Sequence, residues 1–228
     1  YASAGQLLNL NWKWEDIAKH LKINVRESMS ALDIKNNLLG VCDQMYLFEP
    51  GDDTTVCVLK AVKPKKVKLF TGPPSHKEDD AKVVHELMTN ADIRIVSGGT
   101  TSQIVARELG VEVKSSTEIY DKEVPPIAYI HGINLVTEGV LTLSKTIDRL
   151  KSLSKSLDSN IFKAKDGASQ MAKLLYSASH IKLLVGRSLN IANAEISFQR
   201  DLELRLHVIG ELEKILVKLG KIVTIEYY

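Results

Sequence analysis

The chain has 228 residues, a formal net charge of +2, 44% hydrophobic residues and 25% charged residues. This is the profile of an ordinary globular protein, with length for one large or two small domains. It excludes the strongly basic surface of a nucleic-acid binder, and no apolar run is long enough to span a membrane.

Two cysteines, Cys42 and Cys57, lack metal-ligand spacing and form no disulfide framework, which suits a reducing cytoplasm. No signal peptide is visible. The chain opens on Tyr1 and reads as a piece of a longer protein.

Residues 1 to about 40 read as helical. Trp14, Ile17, Ala18 and Leu21 recur at helical spacing, and a second helix after Asn24 turns Val25, Met29, Leu32 and Leu38 inward. The turn E-P-G-D-D-T-T then leads into the β-branched run V-C-V-L-K-A-V, a strand with no partner of its own nearby. The lysine run from Lys60 to Lys68 reads as a solvated edge beside a linker. These observations place a boundary between residues 1–62 and 63–228.

From Val67 strands and helices alternate. Val67–Thr71 is a strand, and Glu78–Met88 is a helix facing inward through Val84, Leu87 and Met88. Ile93–Gly110 is a buried strand, a glycine turn and a helix. Val111–Val113, Ile127–Ile130 and Ile133–Val136 are short apolar runs, and Glu118–Pro126 is a loop. Val140–Leu153 is a helix, Ser152–Lys165 a loop, and Asp166 caps the next helix. Ile181–Val185 is a continuous apolar strand, covered on both faces. Leu189–Gln199 is irregular. Leu202 to Leu219 fits a strand at its start and a helix throughout, and the longer stripe decides for a helix stopped by Gly220. Lys221–Tyr228 is a last strand. The alternation predicts an α/β domain, Rossmann-like, with a mostly parallel sheet and helices on both faces.

Within this frame the segment Ser97-Gly98-Gly99-Thr100-Thr101-Ser102 stands out. Two glycines after a strand permit a positive φ and close approach of a ligand. Thr100 and Gln103 have the spacing of a capping box. A helix N-terminus with free N–H groups and the positive dipole end suits an anion, so Gly98, Gly99, Thr100, Thr101 and Ser102 are candidate ligand-binding residues; the other reading is a tight β-to-α turn. Arg187, after the strand that ends in Gly186, is a candidate charged partner. Glu138 opens another helix and could hold a ribose hydroxyl or a cation. The histidines are scattered; His131 alone lies at a strand end.

At G-D-D-T-T-V-C-V the segment resembles the C-terminal strand signature of PPM-type serine/threonine phosphatases, the class of stage II sporulation protein E. Y-A-S-A-G-Q and L-N-W-K-W-E-D-I-A-K-H-L look like the text after that family's Ser-Asp-Gly motif. The blocks S-G-G-T-T-S-Q-I-V-A-R, P-P-I-A-Y-I-H-G-I-N-L-V-T-E-G-V-L-T-L-S, D-G-A-S and L-V-G-R are similar to the domain that follows the phosphatase in some members.

The resemblance implies a C-terminal remnant of an α-β-β-α phosphatase domain over residues 1–62. It implies a phosphoserine or phosphothreonine protein substrate and paired Mn2+ or Mg2+ ions. Asp52 matches a metal-ligand position, with Asp53 its neighbour. The family's other metal aspartates have no counterpart here, so this chain alone is expected to be inactive and to need no cofactor. The expectation is a phosphatase-linked α/β domain that binds a phosphate-bearing ligand at the glycine turn. The alternative is a protein-interaction or dimerisation module without a small-molecule ligand, with a homodimer as one expected partner.

Overall fold

The computed structural model describes residues 12–49, 53–155, 163–188 and 197–228. The chain divides into two compact units, Tyr1–Lys63 and Pro64–Tyr228.

In the first unit α1 spans Trp14–Asn24 and α2 spans Ala31–Met45. α1 ends at its C-cap Val25, and Ser30 is the N-cap of α2. Its hydroxyl accepts from the Asp33 amide at 3.1 Å, and the Asp33 carboxylate accepts from the Ser30 amide at 2.8 Å, so α2 begins in a reciprocal cap. The two helices share a small core of Trp12, Leu38 and Cys42, flanked by Ile17, Leu21 and Val56. Trp14, expected inward, is 73% exposed. Trp12 takes that place, its ring edge-on to His20 at 5.8 Å, and the inward stripe of α1 starts only at Ile17.

The expected strand over Val56–Val62 is not formed: residues 53–65 have no strand partner among the described residues. Their exposure still alternates residue by residue from Asp53 to Ala61, the two-residue period of a strand face. Val56 packs on the helices, and the Lys60 ammonium donates to the carbonyls of Glu27 and Met29 at 2.5 and 2.6 Å.

The second unit is an α/β fold on a seven-stranded mixed sheet. Its strands are β1 (Lys66–Thr71), β2 (Ile93–Ser97), β3 (Lys114–Ser115), β4 (Ala128–Tyr129), β5 (Leu135–Thr137), β6 (His180–Val185) and β7 (Ile222–Tyr227). The order across the sheet is β3-β4-β5-β2-β1-β6-β7. β5, β2, β1, β6 and β7 run parallel, whereas β4 is antiparallel to both neighbours. The run at Val111–Val113 is not itself a strand; β3 forms three residues later, where it can pair with β4.

Helices cover both faces. α3 (Asp80–Met88) and α4 (Gly99–Leu109) lie on one side, α5 (Val140–Lys155), α6 (Gly167–Ser177) and α7 (Ser197–Lys218) on the other. The period of two in the strands splits their residues between two cores. Val67, Leu69, Ile95, Leu183 and Val185 meet α5, α6 and α7. Phe70, Val96, Val136 and Leu184 meet α3 and α4. Each fully buried aliphatic side chain is worth about 1.5–3 kcal/mol.

Asp166 caps α6, its carboxylate accepting from the Ser169 amide at 2.9 Å. α7 runs through the ambiguous Leu202–Leu219 stretch, and Gly220 follows with φ 76°. The expected loop at 152–165 is helical through Lys155 and again at Lys163, Ser197–Gln199 of the stretch expected to be irregular open α7, and residues 156–162 and 189–196 lie outside the described residues.

Candidate functional site

Among the parallel strands, sheet order is third, second, first, fourth, fifth in chain order. Such sheets hold ligands beyond the carboxyl ends of strands, where neighbouring connections leave toward opposite faces. Two gaps meet that condition, β1/β6 and β2/β5.

The first gap is sealed. Gly186 N donates to Thr71 O at 2.9 Å, and Ser188 N donates to Pro73 O at 3.0 Å. The Arg205 guanidinium stands over Gly72 and donates to Gly186 O at 3.3 Å. The backbones of these two turns touch, with no space for a ligand between them.

At the second gap the strand ends are also tied, and a cleft opens to one side of it, between the start of α4, β3–β4 and the end of β5. β2 ends at Ser97, and Gly98 turns the chain with φ 119° and ψ 136°, a conformation an L side chain resists. Gly98 N donates to Thr137 O at 2.9 Å, and Ser97 Oγ donates to Glu138 O at 2.7 Å, so the ends of β2 and β5 are tied together. α4 and α5 start side by side here: a Cβ built on Gly139 would lie 3.6 Å from Gly98 Cα. One helix then passes to each face of the sheet.

Glu138 sits between the two helix starts. Its Oε2 accepts from Gly139 N at 2.8 Å, and its Oε1 is 3.9 Å from where a Cβ of residue 99 would be. Beside it opens a cleft of about 360 Å³. Its polar lining is Ser102, Gln103, Ser115, Thr137 and Glu138; Gly99, Val113, Pro125, Pro126, Ile127 and Ala128 complete it. Glu138 is the one ionisable side chain among these lining residues.

The structure thus divides the expected ligand-binding set. Gly99, Ser102 and Glu138 line the cleft. Thr101 is buried and its hydroxyl accepts from Gly72 N at 2.9 Å, a tie to the end of β1. Ser102 Oγ donates back to Gly98 O at 2.8 Å. Thr100 is exposed, and the expected Thr100–Gln103 capping box is absent because α4 starts two residues early, with Gly98 as its N-cap. Arg187 does not join the turn. It follows β6, two strands from β2, and its guanidinium lies 5.5 Å from the Tyr227 ring centroid.

Sequence reasoning did not assign Ser115 or the Pro125–Ala128 wall to the site. The paired prolines were the available signal, since a rigid Pro-Pro segment makes a fixed wall.

Asp52 lies outside the described residues, and Asp53 is exposed. Among the described residues no group of three or more His, Cys, Asp or Glu side chains could hold a metal ion. The described residues do not furnish the two-metal centre, and no catalytic step is assigned to Asp53. His131 is exposed and absent from the cleft lining. No described helix is long and apolar enough to cross a membrane. No family model, no curated protein and no solved structure matches this chain.

Proposed function

We propose that this chain is the C-terminal region of a metal-dependent protein serine/threonine phosphatase. Its Rossmann-like second unit is a regulatory domain that binds a small ligand in the cleft between α4, β3–β4 and the end of β5. The cleft carries this reading: it lies beside the start of α4 and the carboxyl end of the parallel strand β5, its volume of about 360 Å³ is in the range of ligand pockets, and Ser102, Gln103, Ser115, Thr137 and Glu138 give it a polar lining. The phosphatase assignment rests on the sequence resemblance. In the first unit, an unpaired segment with strand periodicity supports it, since such a segment belongs at the side of a larger sheet. In that reading Mn2+ or Mg2+ ions and a phosphoserine or phosphothreonine protein substrate belong to the intact phosphatase, with Asp52 among the metal ligands.

A thermal-shift screen of the whole chain tests the regulatory reading. The probes are inorganic phosphate, nucleotides, sugar phosphates, amines and amino acids. A ligand at about a hundred times its Kd raises the melting temperature of a domain this size by roughly 5–10 °C. The shift should vanish in Gly99→Trp, whose indole would enter the cleft. Shifts that persist in that variant, or no shift with any probe, would sink the reading.

One observation favours a second function, a homodimer. Among the described residues β7 has β6 on one side and no strand on the other, and Ile222 and Tyr227 on it are 57% and 50% exposed. Sedimentation of the chain against concentration decides whether this edge self-associates.

A further inference from the structure

The charge pattern of the cleft narrows the ligand class; this step rests on the regulatory reading above. Gly99 opens α4 and lines the cleft. The first-turn amides of α4 have no carbonyl within the helix to bond, and that end of the helix carries roughly half a positive charge. Beside it stands the Glu138 carboxylate, and no lysine, arginine or histidine is in the lining.

A phosphate on this turn would meet the helix end with favour and Glu138 with repulsion. Glu138 is exposed and its repulsion is screened, but no cation in the lining offsets it. A simple amine would meet Glu138 with favour and the two helix ends with disfavour. Adjacent positive and negative groups on one ligand satisfy both. The remaining wall, Val113, Pro125, Pro126, Ile127 and Ala128, is apolar.

We propose that the cleft takes a free apolar α-amino acid. Its α-carboxylate lies on the first-turn amides of α4, its α-ammonium on Glu138, and its side chain against the Pro125–Ala128 wall.

Titration calorimetry on the full 228-residue chain tests this, with L-leucine, L-methionine and L-phenylalanine as probes. Isocaproate (leucine's skeleton without the ammonium), isoamylamine (without the carboxylate), inorganic phosphate and AMP are the comparisons. An amino acid should bind at least about tenfold tighter than isocaproate or isoamylamine, the difference expected of one charge-assisted hydrogen bond. Glu138→Gln should weaken the amino acid about tenfold and leave isocaproate bound as well as before or better, which also shows that the variant is folded.

If phosphate or AMP binds the parent and tightens in Glu138→Gln, the ligand-binding reading stands and the amino-acid inference falls. An amino acid that binds equally to parent and variant also overturns the inference. If no probe binds, both fall together.

Discussion

A Cβ on Gly186 would lie 2.1 Å from Pro73 O and 2.2 Å from Gly72 O, inside the contact distance of any real carbon. Both obstacles are backbone, held by the Gly186 N to Thr71 O bond, so neither can swing away. Gly186→Ala should therefore force the β1 and β6 turns apart and cost about 3 kcal/mol or more. Gly210 is the control. It lies inside α7 with nothing within 4 Å of its Cβ position, so Gly210→Ala should stabilise by about 0.5–1 kcal/mol. Urea midpoints of the two variants should move in opposite directions; an unchanged midpoint for Gly186→Ala would mean that the gap is not sealed. At this scale the sequence marks Gly98 well, because a glycine between an apolar strand and a helix has a narrow set of uses. It does not show that Glu138 stands beside Gly99, far earlier in the chain, because that meeting depends on which strand pairs with β2. The same reason hides Ser115 and Ile127, which reach the cleft from short strands and a loop fixed only by tertiary contact.

Between elements, the β1–β6 register sets Lys68 opposite Lys182. Two ammonium groups on one face would repel. Glu86 of α3 stands between them, at 2.5 Å from Lys68 Nζ and 2.8 Å from Lys182 Nζ. Glu226 of β7 adds a contact of 2.6 Å to Lys182, and the Tyr228 hydroxyl donates to Glu226 at 2.9 Å. The hydrogen bond from Lys182 is the first cause that holds both Glu86 and Glu226 below the ordinary carboxylate range. Burial, aided by Glu226, pushes the Tyr228 phenol up.

In the unfolded chain the glutamates take up protons near pH 4.3. Their folded values are lower, so the network's stabilisation is complete above the unfolded value and is lost as pH falls through the folded ones. Urea midpoints should drop between about pH 5 and pH 3. In Glu86→Gln the drop should be shallower, while at pH 7 the variant should be less stable by about 2 kcal/mol, because Lys68 is 7% exposed and loses its counter-charge. A variant with the parent's pH profile would remove Glu86 from the network. None of this is visible in K-V-K-L-F or I-K-L-L-V, which read only as strands. The strands themselves were legible, since V-K-L-F-T and I-K-L-L-V are too short and too β-branched for helices. α7 was legible because its apolar stripe outlasts any strand. The run V-C-V-L-K-A-V has the same propensity as those strands and forms none, because a strand is defined by a partner and the described chain provides no partner for it.

At the scale of the whole molecule, the two units differ in how completely they bury themselves. In the first, the apolar side chains of Trp14, Phe48 and Leu59 are 73%, 74% and 94% exposed, and the core is built on Trp12, Leu38 and Cys42. A segment of this size with so few buried groups is marginal at best. In the second, every residue of the two large cores lies between Val67 and Tyr228, and all seven strands belong to one sheet. A chain shortened to residues 64–228 should therefore fold alone, unfold in one cooperative transition and keep the ligand shifts of the full chain, since the cleft lining starts at Gly99. Residues 1–63 alone should show helical circular dichroism that fades gradually on heating, with no calorimetric peak. Scanning calorimetry of the two pieces is decisive. A sharp transition in the first piece would mean that its segment 53–62 needs no outside strand, which removes the structural support for the phosphatase reading. A shortened chain that melts without cooperativity would instead show that the second unit depends on residues before Pro64 that its two cores do not reveal.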